Sequence, residues 1–324
     1  MALRQRPSEV AAKMNSLLRP QVRLAVYAVL AVAVLFFAGR HLARNLRQID
    51  FAAIALDWPA LAAAMVCLLV VRVLNGLCTG LLLGSLGAQL RPAAAIAPLW
   101  VAALGRYIPG RVVAVAGAAA LLAQRGVRLP VALAAMFLST GLMVVISFIA
   151  GLPLAMTAEF RREVPHGWAL VGGLGLMGTV CLHPRLFASI CNAALRRMGR
   201  VPLPARPAAG PYTMTAALLV VRAGLMGLAA WWCVRSFSQV SPAAYPTFVG
   251  AVALATVGGF LAVFVPAGLG VQEGIFLLAL GPVLGPGSGL LAVLYRVLQT
   301  LADLAVGAAG AVILHAAGPP SPGA

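Results

Sequence analysis

The sequence predicts an all-α polytopic membrane protein, with about six full transmembrane helices plus two re-entrant helical hairpins in an inverted-topology repeat. Three observations carry this expectation. Of 324 residues, 62% are hydrophobic and 10% charged, and the mean hydropathy is +0.99. Apolar runs near or above about 18 residues mark bilayer-crossing helices, and they are continuous rather than alternating, as barrel strands would be. Finally, the chain contains itself twice. Leu68-Leu69-Val70-Val71-Arg72 returns as Leu218-Leu219-Val220-Val221-Arg222. Each copy is followed at a distance by an aromatic-aliphatic-Pro turn, Tyr107-Ile108-Pro109-Gly110-Arg111 and Phe264-Val265-Pro266-Ala267-Gly268. Duplicated hydrophobic segments broken by Pro and Gly at matching places are the sequence pointer to a transporter-type binding site.

Taken in order, residues 1–23 are a polar, basic tail, and 24–39 is an uncleaved first span without a convincing cleavage site. Span 59–83 opens the first repeat. Segment 93–122 is too long for one crossing and is interrupted at Pro109-Gly110, and 130–156 closes the repeat at about 59–156. Span 168–182 and a basic polar loop, 185–211, join the repeats. The second repeat, about 212–315, contains 212–234, then 245–280 interrupted at Pro266-Ala267-Gly268, then 289–315, with a tail at 317–324. Pro and Gly end helices, so each interrupted segment reads as a half-helix in, a turn at membrane depth and a half-helix out. Non-helical backbone at that depth is tolerated only inside protein or beside water. The single transmembrane domain therefore spans 24–316.

Orientation follows from the Arg and Lys bias. Arg4, Arg6, Lys13, Arg19 and Arg23 precede the first span, Arg91, Arg125 and Arg128 flank the first interrupted segment, and Arg185, Arg196, Arg197, Arg200 and Arg206 fill the joining loop. These place both termini in the cytoplasm. Arg40, Arg44 and Arg47 run against the scheme. The first hairpin then enters from the cytoplasm and the second from the opposite side, so the repeats are inverted, the arrangement that underlies alternating access.

The formal charge of +17 sits mainly in loops and tails, where it orients the chain and meets anionic headgroups; no nucleic-acid-reading module accompanies it. The five cysteines lack a CxxC or metal spacing and read as free, buried thiols. There is no GxxxxGK[ST], no HExxH and no Cys/His cluster, so neither a P-loop motor nor zinc chemistry is expected, and no cofactor. The four histidines lie near segment ends, Ser139, Thr140, Ser147 and Thr179 read as helix-packing residues, and Trp231, Trp232 and Tyr245 read as an outer aromatic belt. No nucleophile–base pair suggests an enzyme.

Of seven acidic side chains, only Glu273 and Asp303 lie in apolar surroundings. A charge there costs at least about 2.5–3.5 kcal/mol, so it faces a partner or a cavity. Arg296 and Asp303 are seven apart and share one face of the last span, with Gln299 and Thr300 between them. This pattern suits either a structural ion pair or a gate. Glu273 follows the small residues Gly268 and Gly270 and falls in the first turn of a half-helix beginning near Val271, a position that suits the helix dipole or a binding role. Arg72 and Arg222 sit well inside their apolar segments, with Asn75 and Thr79 near the first; snorkelling is the alternative to a site role. Arg106 and Arg111 flank Pro109-Gly110. Guanidinium forks suit phosphate oxygens and carboxylates. A cavity with Arg72, Arg106, Arg111, Arg222 and Arg296 against Glu273 and Asp303 is net cationic and fits an anionic lipid headgroup.

Gly105-Arg106-Tyr107-Ile108-Pro109-Gly110-Arg111, followed by Gln124-Arg125-Gly126-Val127, resembles the KYIPGK…RGV signature of the flippase-like integral membrane family that includes the transmembrane region of lysylphosphatidylglycerol synthases. Pro266 to Gly274 resembles its PGGLGVREG turn, and Arg296 to Asp303 its final-helix Arg…Asp pattern. Ala267 stands for a Gly, Gln272 for the usual Arg, and Arg106 and Arg111 for Lys. The resemblance implies the lipid-handling part without the synthases' aminoacyltransferase domain, so no enzyme. It implies a bacterial inner-membrane lipid translocator acting on a membrane phospholipid or other anionic lipid. Together with the reading of the charged residues, the expected binding residues are Arg72, Arg106, Tyr107, Pro109, Gly110, Arg111, Arg222, Pro266, Gly268, Gly270, Glu273, Arg296 and Asp303. The rival expectations are a small-solute or ion transporter, and a non-transporting partner of a lipid- or glycan-modifying enzyme.

Overall fold

The computed structural model describes residues 56–88, 90–107, 112–261, 271–285 and 287–317. The regular structure among them is entirely helical. Proline stands in the first turn of α1 (Trp58–Ser85), α4 (Leu129–Ala155) and α7 (Pro184–Arg197), among others, where its missing N–H costs nothing. Between α1 and α4 come α2 (Ile96–Ala103), bounded by 3-10 turns Pro92–Ala95 and Leu104–Tyr107, and α3 (Val112–Ala123). A short α5 (Ala158–Glu163), capped by the Thr157 hydroxyl, leads into α6 (Gly167–Cys181) and α7. The remaining helices are α8 (Ala209–Arg235), α9 (Tyr245–Leu261), α10 (Val271–Leu284) and α11 (Gly287–Ala316).

The lengths decide which helices cross. Helices α1, α4, α8 and α11, and α9 with its preceding 3-10 turn (Pro242–Leu261), are each long and apolar enough to span a bilayer. Helix α6 has 15 residues, about 22 Å at the α-helical rise, short of a bilayer core of about 30 Å. It reaches span length only together with α7, from which it is bent by 71°. The described residues thus hold five candidate spans, or six with the bent pair. This corrects three expectations. Segment 168–182 does not span alone. Half of the loop at 185–211 is the helix α7. The first arm of the second interrupted segment is a span-length helix, where a half-helix was expected. The span at 24–39 and the arginines at 40, 44 and 47 lie outside the described residues.

Helix α1 packs most extensively on α8, the two helices that carry the repeated Leu-Leu-Val-Val-Arg. Around this pair, α4 packs on α9 and α11 packs on α2; α4 also meets α8, as α11 meets α1. Close backbone approach is bought with glycine on each central helix. A Cβ on Gly76 would lie 3.2 Å from the Ile96 Cα, and one on Gly227 would lie 2.7 Å from the Val249 Cα.

Two apolar clusters fill the interior, and they occupy successive lengths of the same helices. On α1, Leu61, Ala64, Leu68 and Val71 belong to one cluster; Cys78, Leu82, Leu83 and Leu86 belong to the other. On α8, Met226 and Ala229 belong to the first and Leu219 to the second. Arg72 and Arg222 fall between the clusters and are both buried. The packing therefore holds a polar layer between two apolar ones.

The cysteines are free, but Cys181 is exposed and only Cys78 and Cys233 are buried, since α6 turns a face outward. Trp231 is not in an outer belt. It is buried, edge-on to Trp232 with ring centroids 5.1 Å apart, and the Arg235 guanidinium lies 5.1 Å from its ring centre. The hydroxyl of Thr79 donates to Ser139 at 3.1 Å, a polar clasp between α1 and α4.

Candidate functional site

Asp303 lies midway along α11 with 2% of its surface exposed. At that depth a bare carboxylate is costly, and three polar side chains are turned on it. Its Oδ1 accepts from Arg72 Nε. Its Oδ2 accepts from Arg106 Nη1 at 2.9 Å and from the Tyr107 hydroxyl at 2.9 Å. The local structure explains the convergence. Arg72 is placed by the middle of α1, while Arg106 and Tyr107 come from the 3-10 turn that ends the α2 arm. Tighter winding there brings adjacent side chains onto one target. Trp100 fixes the arm from the other side, its indole N–H donating to the Arg72 carbonyl at 3.0 Å.

Arg222 occupies the corresponding depth of α8 and has no carboxylate partner among the described residues. Its Nε donates to Asn75 Oδ1 at 2.8 Å, across the α1–α8 interface. A fully buried guanidinium held by one neutral amide keeps donors to spare.

A second ion pair joins α10 and α11. Glu273 is in the first turn of α10, which begins at Val271. Its Oε1 accepts from Arg296 Nε and Nη2, both at 2.9 Å. Its Oε2 is buried and finds no hydrogen-bond partner among the described residues. The expected pairing of Arg296 with Asp303 is therefore replaced by two separate pairs. Seven residues put both side chains on one face, but two turns of rise separate them by about 10 Å, and nearer partners on α1, α2 and α10 take them.

The three arginines face a cavity of about 420 Å³ that reaches from Arg72, Arg106 and Arg222 past Thr140 and Thr256 to Gln272. The Arg106 side chain is 44% exposed, so its guanidinium serves Asp303 and the open space together. Phe137 lines the cavity and is 64% exposed on the outer surface of α4, so the space adjoins the apolar exterior. Three guanidiniums stand against the single carboxylate of Asp303, a net charge of two positive among the described residues.

The structure thus brings Arg72, Arg106, Tyr107, Arg222 and Asp303 to one place and sets Glu273 with Arg296 in a second cluster. Pro109, Gly110, Arg111, Pro266, Gly268 and Gly270 lie outside the described residues. Trp100 and Thr256 were not singled out from the sequence, and Thr140 was read only as a packing residue. One indole and two hydroxyls in apolar helices carry no pattern that separates them from packing residues.

A family model described as the lysylphosphatidylglycerol synthase TM region matches residues 22–307. The chain belongs to that family. No curated protein matches it. The matched region of this lysylphosphatidylglycerol synthase TM family member contains both clusters and runs past Asp303 on the last helix. The chain is accordingly a multi-pass integral membrane protein of that family.

Proposed function

We propose that this chain is a membrane lipid translocator that carries an anionic lipid, or an anionic lipid-linked carrier, across the bacterial inner membrane. The observation that carries the reading is the cavity: three guanidiniums and one carboxylate at mid-membrane depth, beside an apolar outer face at Phe137. Charge of that sign in a low-dielectric site is stabilised by an anion, and Arg forks match phosphate oxygens. The phosphate of the lipid rests against Arg222 and Arg106 while its acyl chains stay in the bilayer past Phe137.

The movement rests on the duplication. Exchanging the halves of the chain exchanges helix contacts in pairs: α2 on α11 for α9 on α4, and α1 on α11 for α8 on α4. This pairing supports an inverted repeat whose two packings open to opposite sides. As the repeats rock, Arg106 exchanges Asp303 for the headgroup phosphate, and Glu273 with Arg296 acts as the second latch. No chemistry is performed on the lipid, so the chain works without a cofactor and is not itself an enzyme.

Headgroup translocation in proteoliposomes tests the proposal. Protein-dependent movement of a fluorescent phosphatidylglycerol, faster than that of a matching phosphatidylcholine, is the expected outcome. Equal rates for both lipids would remove the anionic selectivity, and no movement of any anionic lipid would remove the translocator.

A further inference from the structure

A second cationic site lies away from the central cavity, on α7 and the chain that follows it. Successive residues advance about 100° around a helix, which sets Arg185, Ser189, Asn192 and Arg196 on one face of α7. Phe187 and Ala188 turn inward and are buried, while Leu186 and Ile190 stand exposed beside the polar face. The chain then turns at Gly199, whose φ of 66° is the left-handed region glycine tolerates, and returns along the polar face. It is pinned there. Leu203 is buried and its N–H donates to Asn192 Oδ1 at 2.9 Å, and Pro204 packs so closely on Gly87 that a Cβ there would meet it at 2.9 Å.

The pinned return places Arg206 opposite Arg185 and Arg196 around a cavity of about 210 Å³, floored by Ser189 and Asn192. None of the three arginines has a carboxylate partner among the described residues. Three like charges held around one hollow repel each other unless an anion sits between them. The two arginines of α7 are eleven residues apart, about 16 Å along the helix, so the slot is longer than one phosphate needs. Its surroundings identify the rest. Leu186 and Ile190 flank it, and Met198 (66% exposed) and Val201 (67%) project from the returning chain. A helix with a basic face, apolar neighbours and a 71° bend from its predecessor suits the plane of a membrane interface.

We infer that this pocket binds the phosphate-bearing headgroup of an anionic phospholipid of the adjoining leaflet, at a site separate from the transport cavity. Arg185, Arg196 and Arg206 line the slot that holds the phosphate and the rest of the headgroup, and Ser189 and Asn192 meet its polar groups. The inference does not need the translocator reading.

Native mass spectrometry of the full chain in a neutral detergent, titrated with phosphatidylglycerol, tests it. Wild type is expected to retain a phosphatidylglycerol adduct that phosphatidylcholine does not form and that inorganic phosphate at about 10 mM does not displace. In an Arg222→Gln background, which removes the central cavity's headgroup contact, adding Arg185→Gln/Arg196→Gln/Arg206→Gln is expected to weaken the remaining adduct at least about tenfold. If the combined variant is not monodisperse, adding Arg206→Gln alone, on an exposed stretch, is expected to weaken the adduct several-fold. An adduct of unchanged affinity in a folded variant would overturn the inference. So would equal binding of phosphatidylcholine. Displacement by inorganic phosphate would assign the pocket to a soluble anion instead.

Discussion

Arg72 and Asp303, 231 positions apart in the chain, meet at the midpoints of α1 and α11 as a buried ion pair. The pair joins α1 to α11, and Arg106 and Tyr107 close on the same carboxylate from the α2 arm. Three elements, α1, the turn ending the α2 arm and α11, are thus held by one side chain. Breaking one partner of such a pair leaves a buried charge without compensation, a cost of about 3–5 kcal/mol.

Asp303→Asn is therefore expected to lower the thermal unfolding temperature in detergent strongly, because two guanidiniums lose their counter-charge. Arg72→Met/Asp303→Leu removes charge and partner together and is expected to recover most of the loss while translocation stays abolished. A double variant no more stable than Asp303→Asn would show that shape, not charge, holds the pair.

Arg222 behaves differently. With Asn75 as its one hydrogen-bonding side chain among the described residues, it contributes little to folding relative to its burial cost. Arg222→Gln is expected to leave the unfolding temperature equal or higher and to lower anionic-lipid translocation about tenfold or more, the loss of one charge-assisted hydrogen bond. A large loss of stability with unimpaired transport would reverse its assignment from ligand donor to structural clasp.

Glu273→Gln leaves Arg296, 6% exposed, without its carboxylate. An unfolding temperature lowered less than in Asp303→Asn is expected, since Glu273 is itself 25% exposed and water screens part of the change. Comparing the two melts under identical conditions checks the order, and a larger effect at Glu273 would contradict it.

The glycines at the central helices give a prediction independent of charge. Gly227→Ala places a Cβ 2.7 Å from the Val249 Cα, so α8 and α9 must part, at about 1–3 kcal/mol. Gly84→Ala meets nothing within 4 Å and is expected to be neutral or mildly stabilising. Melting both variants side by side separates close packing from mere helix propensity.

How much of this was legible in the sequence depended on the kind of signal. Helices α1, α4, α8 and α11 follow from unbroken apolar runs, because length and composition alone decide a span. The importance of Arg72, Arg222 and Asp303 was legible for the same reason: a charge among leucines needs a partner. Which partner was not legible. Arg296 and Asp303 look paired along one helix, yet their carboxylate and guanidinium partners come from α10, α1 and the α2 arm. Only the packing of distant segments decides that. Helix α7 was hidden by its arginines and by the prolines that follow it, since amphipathic periodicity in a short basic stretch resembles a loop.

The most direct measurement is lipid photo-crosslinking from position 137. A benzophenone amino acid at Phe137 reports whether lipid chains lie where the cavity meets the outer surface. In vesicles of phosphatidylcholine with a minor share of phosphatidylglycerol, the account predicts crosslinks enriched in phosphatidylglycerol, with the enrichment lost on Arg222→Gln. Crosslinks that mirror the bulk lipid mixture, unchanged by Arg222→Gln, would contradict a headgroup held in the arginine cavity.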